Sequence, residues 1–293
     1  MLGNLMLIVN PYSGRGLSKS ALGTIVTQFC ANGYAATVYT IGEYTAEELS
    51  YKYAKRHDIC VCMGGDGTLN NVISGLLRAG TEIPVGYIPA GTSNDVATTL
   101  NLSKEPLAAA QTIIHGEPTP IDVGMFGEEY FTYIAAFGAF TNAAYSTPQT
   151  TKRSLGHFAY VLNGLADMGA ITAHRTRVEL DDEVIEGDYI FGGVINSTSI
   201  AGFVKLDPEY VDLADGLFEV ILVKQPVSLA DFLNILSSVK NRDYNREKVQ
   251  MFQANKVKFT FETDVPWTID GEDGGEHKQV EIINCHKAIE IIV

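Results

Sequence analysis

The chain has 293 residues, 46% of them hydrophobic and 19% charged, with a formal net charge of −14. That length is long for one core and predicts two domains, while the apolar content excludes extended disorder. The acidic balance excludes nucleic acid as a partner, because that needs a basic face, and it leaves any membrane contact to a local basic patch.

Met1 leads straight into the apolar run Leu5-Met6-Leu7-Ile8-Val9. This run is too short for a signal segment or a membrane span, and no later stretch approaches the roughly eighteen apolar residues of a crossing helix. The expected location is cytoplasmic. Residues 5–9 read as a buried strand without alternation, followed by the turn-rich Asn10-Pro11-Tyr12-Ser13-Gly14 and a helix over about 18–32. A strand over 36–40 and a helix over 46–56 come next. The apolar run ending at Met63 is the central strand, and it stops at Gly64-Gly65-Asp66-Gly67-Thr68 before Leu69-Asn70-Asn71-Val72-Ile73 opens a helix. Three glycines so close together predict a backbone that reaches positive φ and approaches a ligand closely. The helix start beyond them favours phosphate. Asp66 would repel phosphate on its own, so it fits beside a divalent cation or a hydroxyl. A fourth strand over 84–88 runs into Pro89-Ala90-Gly91-Thr92-Ser93-Asn94-Asp95 and a helix from about Val96. The βα rhythm predicts a doubly wound parallel sheet whose polar loops gather at the carboxyl ends of the strands.

The rhythm changes around 118–122. A hairpin over 123–135 turning at Gly127-Glu128-Glu129, a helical stretch over about 140–168, and many short strands from Thr176 onward predict an antiparallel β-sandwich. A helix over 229–239 interrupts the strands, and 286–293 is apolar enough to return to the first domain. The expected division is 1–122 with 286–293, and 123–285. Two acidic turns stand in the second domain. The one over 207–217 offers Asp212 and Asp215 with backbone carbonyls, the oxygen donors that a hard cation prefers. The other, over 269–275, holds Asp270, Glu272 and Asp273, candidates for accepting a proton or holding Mg²⁺. An Asp-Gly turn chosen for its backbone conformation explains either one equally well. Neither G-x-x-x-x-G-K-[ST] nor G-x-G-x-x-G is present. Basic clusters stand at Lys152-Arg153, at Arg175 with Arg177, and at Lys240, Arg242, Arg246 and Lys248.

The pieces Asn10-Pro11-x-Ser13-Gly14, Gly64-Gly65-Asp66-Gly67-Thr68-Leu69-Asn70 and Pro89-Ala90-Gly91-Thr92-Ser93-Asn94-Asp95-Val96-Ala97 stand in order along the chain. Asp215-Gly216 before a strand and Asp270-Gly271-Glu272 near the end complete the set. Together they resemble the diacylglycerol kinase catalytic-domain family, which includes sphingosine kinases and bacterial soluble lipid kinases, over the whole chain. The glycine turn is shared with NAD kinases, whereas P-x-G-T-x-N-D-x-A makes the match specific. The resemblance implies an NAD kinase-like first domain, a β-sandwich second domain and ATP lying between them. The nucleotide would contact Asn10, Pro11, Tyr12, Ser13, Gly14, Thr40, Gly64, Gly65, Asp66, Gly67, Thr68, Leu69, Asn70 and Thr92. Asp66 and Asp95 would belong to the catalytic carboxylate network, and Asp212, Asp215 and Leu217 would bind Mg²⁺. Glu272, with Asp270 beside it, would be the base that activates a lipid hydroxyl, the choice between the two staying open. The implied reaction carries the γ-phosphoryl group of ATP to a lipid hydroxyl, diacylglycerol being the leading acceptor. The lipid would be met peripherally at a membrane surface, with a homodimer allowed. The alternatives are an NAD or sugar kinase with the same glycine turn, or a nucleotide-binding module without catalysis.

Overall fold

A computed structural model describes residues 3–13, 19–138, 172–200, 204–206, 211–244 and 247–293. Two compact units divide the chain: unit 1 is 1–123 with 286–293, and unit 2 is 124–285. The chain leaves unit 1 within β5 (Pro118–Phe126) and re-enters it within β15 (Glu272–Ile292).

The sheet of unit 1 is parallel except for β5, which pairs with β15: Glu117 and Val293, beside their ends, exchange backbone hydrogen bonds (3.1 and 3.2 Å) as in an antiparallel pair. Strand β1 (Gly3–Val9) lies between β2 (Tyr34–Thr40) and β3 (Ile59–Gly64), and β4 (Val85–Pro89) pairs with β3. The end of β15 joins β4 in parallel through Ile291 and Val85. Every residue of β3 and β4 is buried, which is why their sequences show no alternation. Helices α1 (Lys19–Ala31), α2 (Ala46–Tyr53), α3 (Asp66–Ala79), α4 (Asp95–Thr99) and α5 (Pro106–His115) form the connections. Thr45 and Glu48 close a capping box at the start of α2. Helix α3 buries Leu69, Val72, Ile73 and Leu76, and ends on Gly80 at φ 61°. Register sets the consequence for ligands: Val9 pairs with Thr40 and with Met63, and Gly64 pairs with Pro89. All the loops that leave these strand ends therefore start from one edge.

Unit 2 is antiparallel. It contains β6 (Glu129–Phe131), β7 (Ile134–Gly138), β8 (His174–Leu180), β9 (Glu183–Ile195), the short pair β10 (Ser199–Ile200) and β11 (Val204–Lys205), β12 (Phe218–Lys224), α6 (Leu229–Asn241), β13 (Val249–Ala254) and β14 (Lys256–Ile269). Strands β9 and β14 are long enough to pair with β8 along one half and with β7 along the other, closing a ring of hydrogen-bonded neighbours. The ring surrounds an aromatic core in which Trp267 packs against Phe126, Phe137, Phe259 and Phe261. Phe137 is fully buried there.

Some sequence expectations need correction. The helix expected from Val96 is only five residues long, and α5 follows it as a separate element starting on Glu105 as cap and Pro106. Two short strands expected over 257–262 and 267–269 are one strand, β14, whose register shifts between Thr260 and Val265. Glu272 and Asp273 lie in strand β15, not in a hairpin loop, because Ile269 already pairs with Glu272. The helical stretch over 140–168, Gly14, Lys152, Arg153 and Arg246 lie outside the described residues. Among the described residues no helix is long and apolar enough to cross a membrane.

Candidate active site

Three loops of unit 1 are tied together at the strand ends. Asn10 donates from its backbone to Met63 O (2.9 Å) and from Nδ2 to Thr68 Oγ1 (2.9 Å), while its Oδ1 accepts from Tyr12 N (3.0 Å). Ala90 N donates to Gly64 O (2.7 Å). The glycines of the motif do not take positive φ, contrary to the expectation from sequence. They are required for close backbone approach: a Cβ on Gly91 would lie 2.6 Å from Gly65 Cα, and one on Gly64 would lie 2.6 Å from Thr68 Cβ. The left-handed residue is Asn94 at φ 51°, whose amide bonds both ways with Gly91 (2.9 and 3.1 Å). Helix α3 starts at Asp66, so the N–H groups of its first turn, from Asp66 to Thr68, form its open end. Thr40 and Thr92 are exposed on the same edge. Leu69 is fully buried, and its side chain belongs to the core.

Asp66 joins two helix starts. Its Oδ2 accepts from Asp95 N (3.0 Å) and its Oδ1 from Val96 N (3.3 Å), the first two N–H groups of α4. The Tyr87 hydroxyl stands 3.3 Å from Asp66 Oδ1 and 3.3 Å from Asn94 Oδ1, and its single proton serves one at a time. Burial raises the Asp66 carboxyl above its ordinary range, against the pull of these donors and of Lys104. Asp95 is itself buried, at 2% exposure.

In unit 2, Asp270 and Gly271 form the turn between β14 and β15, at φ 50° and 86°. The Asp270 carboxylate is saturated. Oδ2 accepts from Thr132 N (2.7 Å) and Thr132 Oγ1 (2.8 Å), and Oδ1 from Tyr133 N (3.0 Å) and Ile134 N (3.0 Å). Burial pushes it up to about 6 despite those bonds. Glu272, two residues on, is exposed. An open groove of about 600 Å³ beside the turn is lined by Phe126, Glu128, Glu129, Asp273, His277 and Glu281 among others, and includes neither Asp270 nor Glu272.

At the other acidic turn, Asp212 Oδ1 accepts from Ala214 N (2.9 Å) and Asp215 Oδ1 from Leu217 N (2.8 Å). Among the described residues no partner is seen for the other oxygen of each carboxylate, as a cation site made with backbone carbonyls requires. Arg175 and Arg177, a candidate basic patch, are paired with Glu179, Glu186 and Asp188, so their charge is spent within the sheet. Two residues escaped the sequence reading, Tyr87 and Glu219. Each is a polar group in an otherwise apolar strand, which is the signal that could have found them.

The family model described as the diacylglycerol kinase catalytic domain matches residues 4–126, and that of the YegS C-terminal NAD kinase beta sandwich-like domain matches 135–292. A diacylglycerol kinase of Bacillus subtilis is 30% identical over 98% of this chain and 95% of its own. One of Staphylococcus saprophyticus is 32% identical over 92% and 89%. The solved structure of a diacylglycerol kinase from Bacillus anthracis shares the fold at a TM-score of 0.77 and 20% identity, covering 99% of this chain and 96% of that one. Matched in both halves and alongside relatives for nearly all of their length, the chain belongs to the diacylglycerol kinase family, and it is a lipid kinase of a family that uses ATP.

Proposed function

We propose that the protein transfers the γ-phosphoryl group of ATP to the hydroxyl of diacylglycerol, giving phosphatidic acid. The observation that carries this reading is the Asp66 bridge: one carboxylate fastens the loop after β3 to the loop after β4, beside the open N-terminus of α3. Residues 1–122 with 286–293 bind the nucleotide, through Asn10 to Gly14, Thr40, Gly64 to Asn70 and Thr92. Backbone N–H groups and the helix start receive the phosphates, and Asp66 and Asp95 both order the loops that hold them and belong to the catalytic carboxylate network.

Residues 123–285 bind the lipid. Glu272 accepts the proton of the lipid hydroxyl as its oxygen bonds to the γ-phosphorus and the bond to the ADP oxygen breaks. Asp270 is a positioning residue, because its oxygens have no capacity left for a further proton donor. Asp212, Asp215 and the Leu217 carbonyl fit Mg²⁺, whose charge, when it is bound, offsets the turn's carboxylates. The lipid is met peripherally at a membrane surface through a local basic patch, and a homodimer is allowed.

The test is a panel. Purified protein with labelled ATP is offered diacylglycerol, phosphatidylglycerol, a sphingoid base, NAD⁺ and a sugar, and products are identified by mass. Phosphatidic acid as the dominant product is expected. Phosphorylation of NAD⁺ alone, or ATP binding without any transfer, would refute the assignment.

A further inference from the structure

Strand β12 carries one acid, Glu219, in the run Phe218-Glu219-Val220-Ile221-Leu222-Val223. Phe218, Val220 and Leu222 belong to the aromatic core, so Glu219 points to the opposite sheet face, where it is only 1% exposed. Its Oε1 accepts from Nε2 of Gln253, its cross-strand partner on β13, at 3.3 Å. Its Oε2 is buried and has no hydrogen-bond partner among the described residues. The neighbours are acids as well: Asp215 and Asp212 stand four and seven residues back, on the turn that leads into β12.

Three carboxylates around one turn, one of them buried with a bare oxygen, call for a positive charge that brings donors with it. A hydrated divalent cation does both, because Mg²⁺ keeps several of its waters when bound by few carboxylates. Among the described residues no three His, Cys, Asp or Glu side chains converge tightly enough to enclose a metal by themselves. Glu219 and both aspartates therefore do not all ligate one cation directly, and a metal-bound water is the link that reaches Glu219.

We propose that Glu219 anchors a divalent-cation site at the 212–217 turn, its Oε2 accepting a hydrogen bond from a water that the cation holds. The inference rests on the reading of Asp212, Asp215 and Leu217 as Mg²⁺ ligands. It assigns the site a buried wall that those three residues do not supply.

Nucleotide-free protein titrated with MgCl₂ tests it, by calorimetry and by thermal melts with and without the ion. Wild type is expected to bind and to melt higher with Mg²⁺. Glu219→Gln is expected to bind about 10- to 100-fold more weakly and to lose most of the Mg²⁺-dependent rise, as partners of metal-bound groups do when removed. Its metal-free melt should be no lower than wild type, because an uncompensated buried acid is gone. Glu219→Met, of similar volume without a polar atom, should show the same loss and serves if the Gln variant misfolds. Wild-type affinity in Glu219→Gln, with binding lost in Asp215→Asn, overturns the role of Glu219 and leaves the turn as a metal site. No binding by wild type, or binding indifferent to Asp215→Asn, sinks the reading of the turn itself.

Discussion

Replacing Asp66 separates two jobs that one carboxylate performs. Asp66→Ala leaves Asp95 N and Val96 N without their acceptor, while the Tyr87 hydroxyl keeps Asn94 Oδ1. An unsatisfied buried group costs about 1–3 kcal/mol, and because the site is only part-buried the sum is about 2–4 kcal/mol. At roughly 2–4 °C per kcal/mol in a chain of this size, the alanine variant should melt about 5–10 °C lower while still folding. Asp66→Asn behaves differently. Its oxygen can keep Asp95 N and its amide can donate to Tyr87 Oη, so one bond of about 1 kcal/mol is lost while a charge that burial disfavours disappears. Its melt should stay within about 3 °C of wild type. Both variants should lose phosphoryl transfer by at least about 10²-fold in kcat, since the charge is gone in each. The pH dependence follows from the same burial. The folded carboxyl sits above its usual 3.8, so its contribution to stability is complete below 3.8 and is lost as pH rises through the raised value. Activity needs the ionised form, so the acidic limb of kcat should lie above that of an ordinary aspartate. Calorimetric melts and a micelle-based kinase assay across pH 4–8 decide the matter. Near-wild-type turnover by Asp66→Asn would mean that the carboxylate only ties the loops together.

Three further outcomes are expected. Glu272→Gln should lower kcat by about 10²–10⁴-fold with KM for ATP changed less than about twofold, and a loss carried by KM instead would make Glu272 a binding residue. Asp270→Ala strands four donors on Thr132, Tyr133 and Ile134, a cost of about 3–6 kcal/mol. Urea melts followed by fluorescence of the single tryptophan, Trp267 in the core of unit 2, should shift accordingly, and an unmoved midpoint contradicts the saturation of this carboxylate. Gly91→Ala forces a methyl group to within 2.6 Å of Gly65 Cα and should cost about 1–3 kcal/mol. The KM for ATP should rise with it, and unchanged nucleotide affinity would show that this contact is remote from the phosphates.

Strands β1, β3 and β4 were legible because residues buried on both faces leave a continuous apolar run, and the polar loops that follow them mark the ligand edge. The glycines misled on mechanism. Sequence shows that Cβ atoms are missing at Gly64, Gly65 and Gly91, but not whether torsion or proximity demanded it, and here it is proximity. Strand β14 read as two pieces because Glu262, Thr263 and Asp264 are exposed at an irregular register, so polar residues stand inside a continuous strand. The choice between Asp270 and Glu272 could not be read at all. Both sit beside one turn, and only the distant Thr132 to Ile134 backbone, some 136 to 138 residues earlier, reveals which one is occupied. The Asp66 bridge to Asp95 was partly visible, as two acids on neighbouring loops, although the contact proves to run from carboxylate to backbone N–H.

The central strand of unit 1 also carries two free thiols, Cys60 and Cys62, both fully buried. Burial pushes the Cys60 thiol up to about 12 and Cys62 well above its ordinary value, so neither reacts as a thiolate while the strand stays covered. Alkylation of this pair therefore times the opening of the parallel sheet, against Cys30, which is exposed and reacts at once. A nucleotide that binds only the closed sheet must slow that alkylation in proportion to its occupancy, giving a readout of ATP affinity that needs no acceptor lipid.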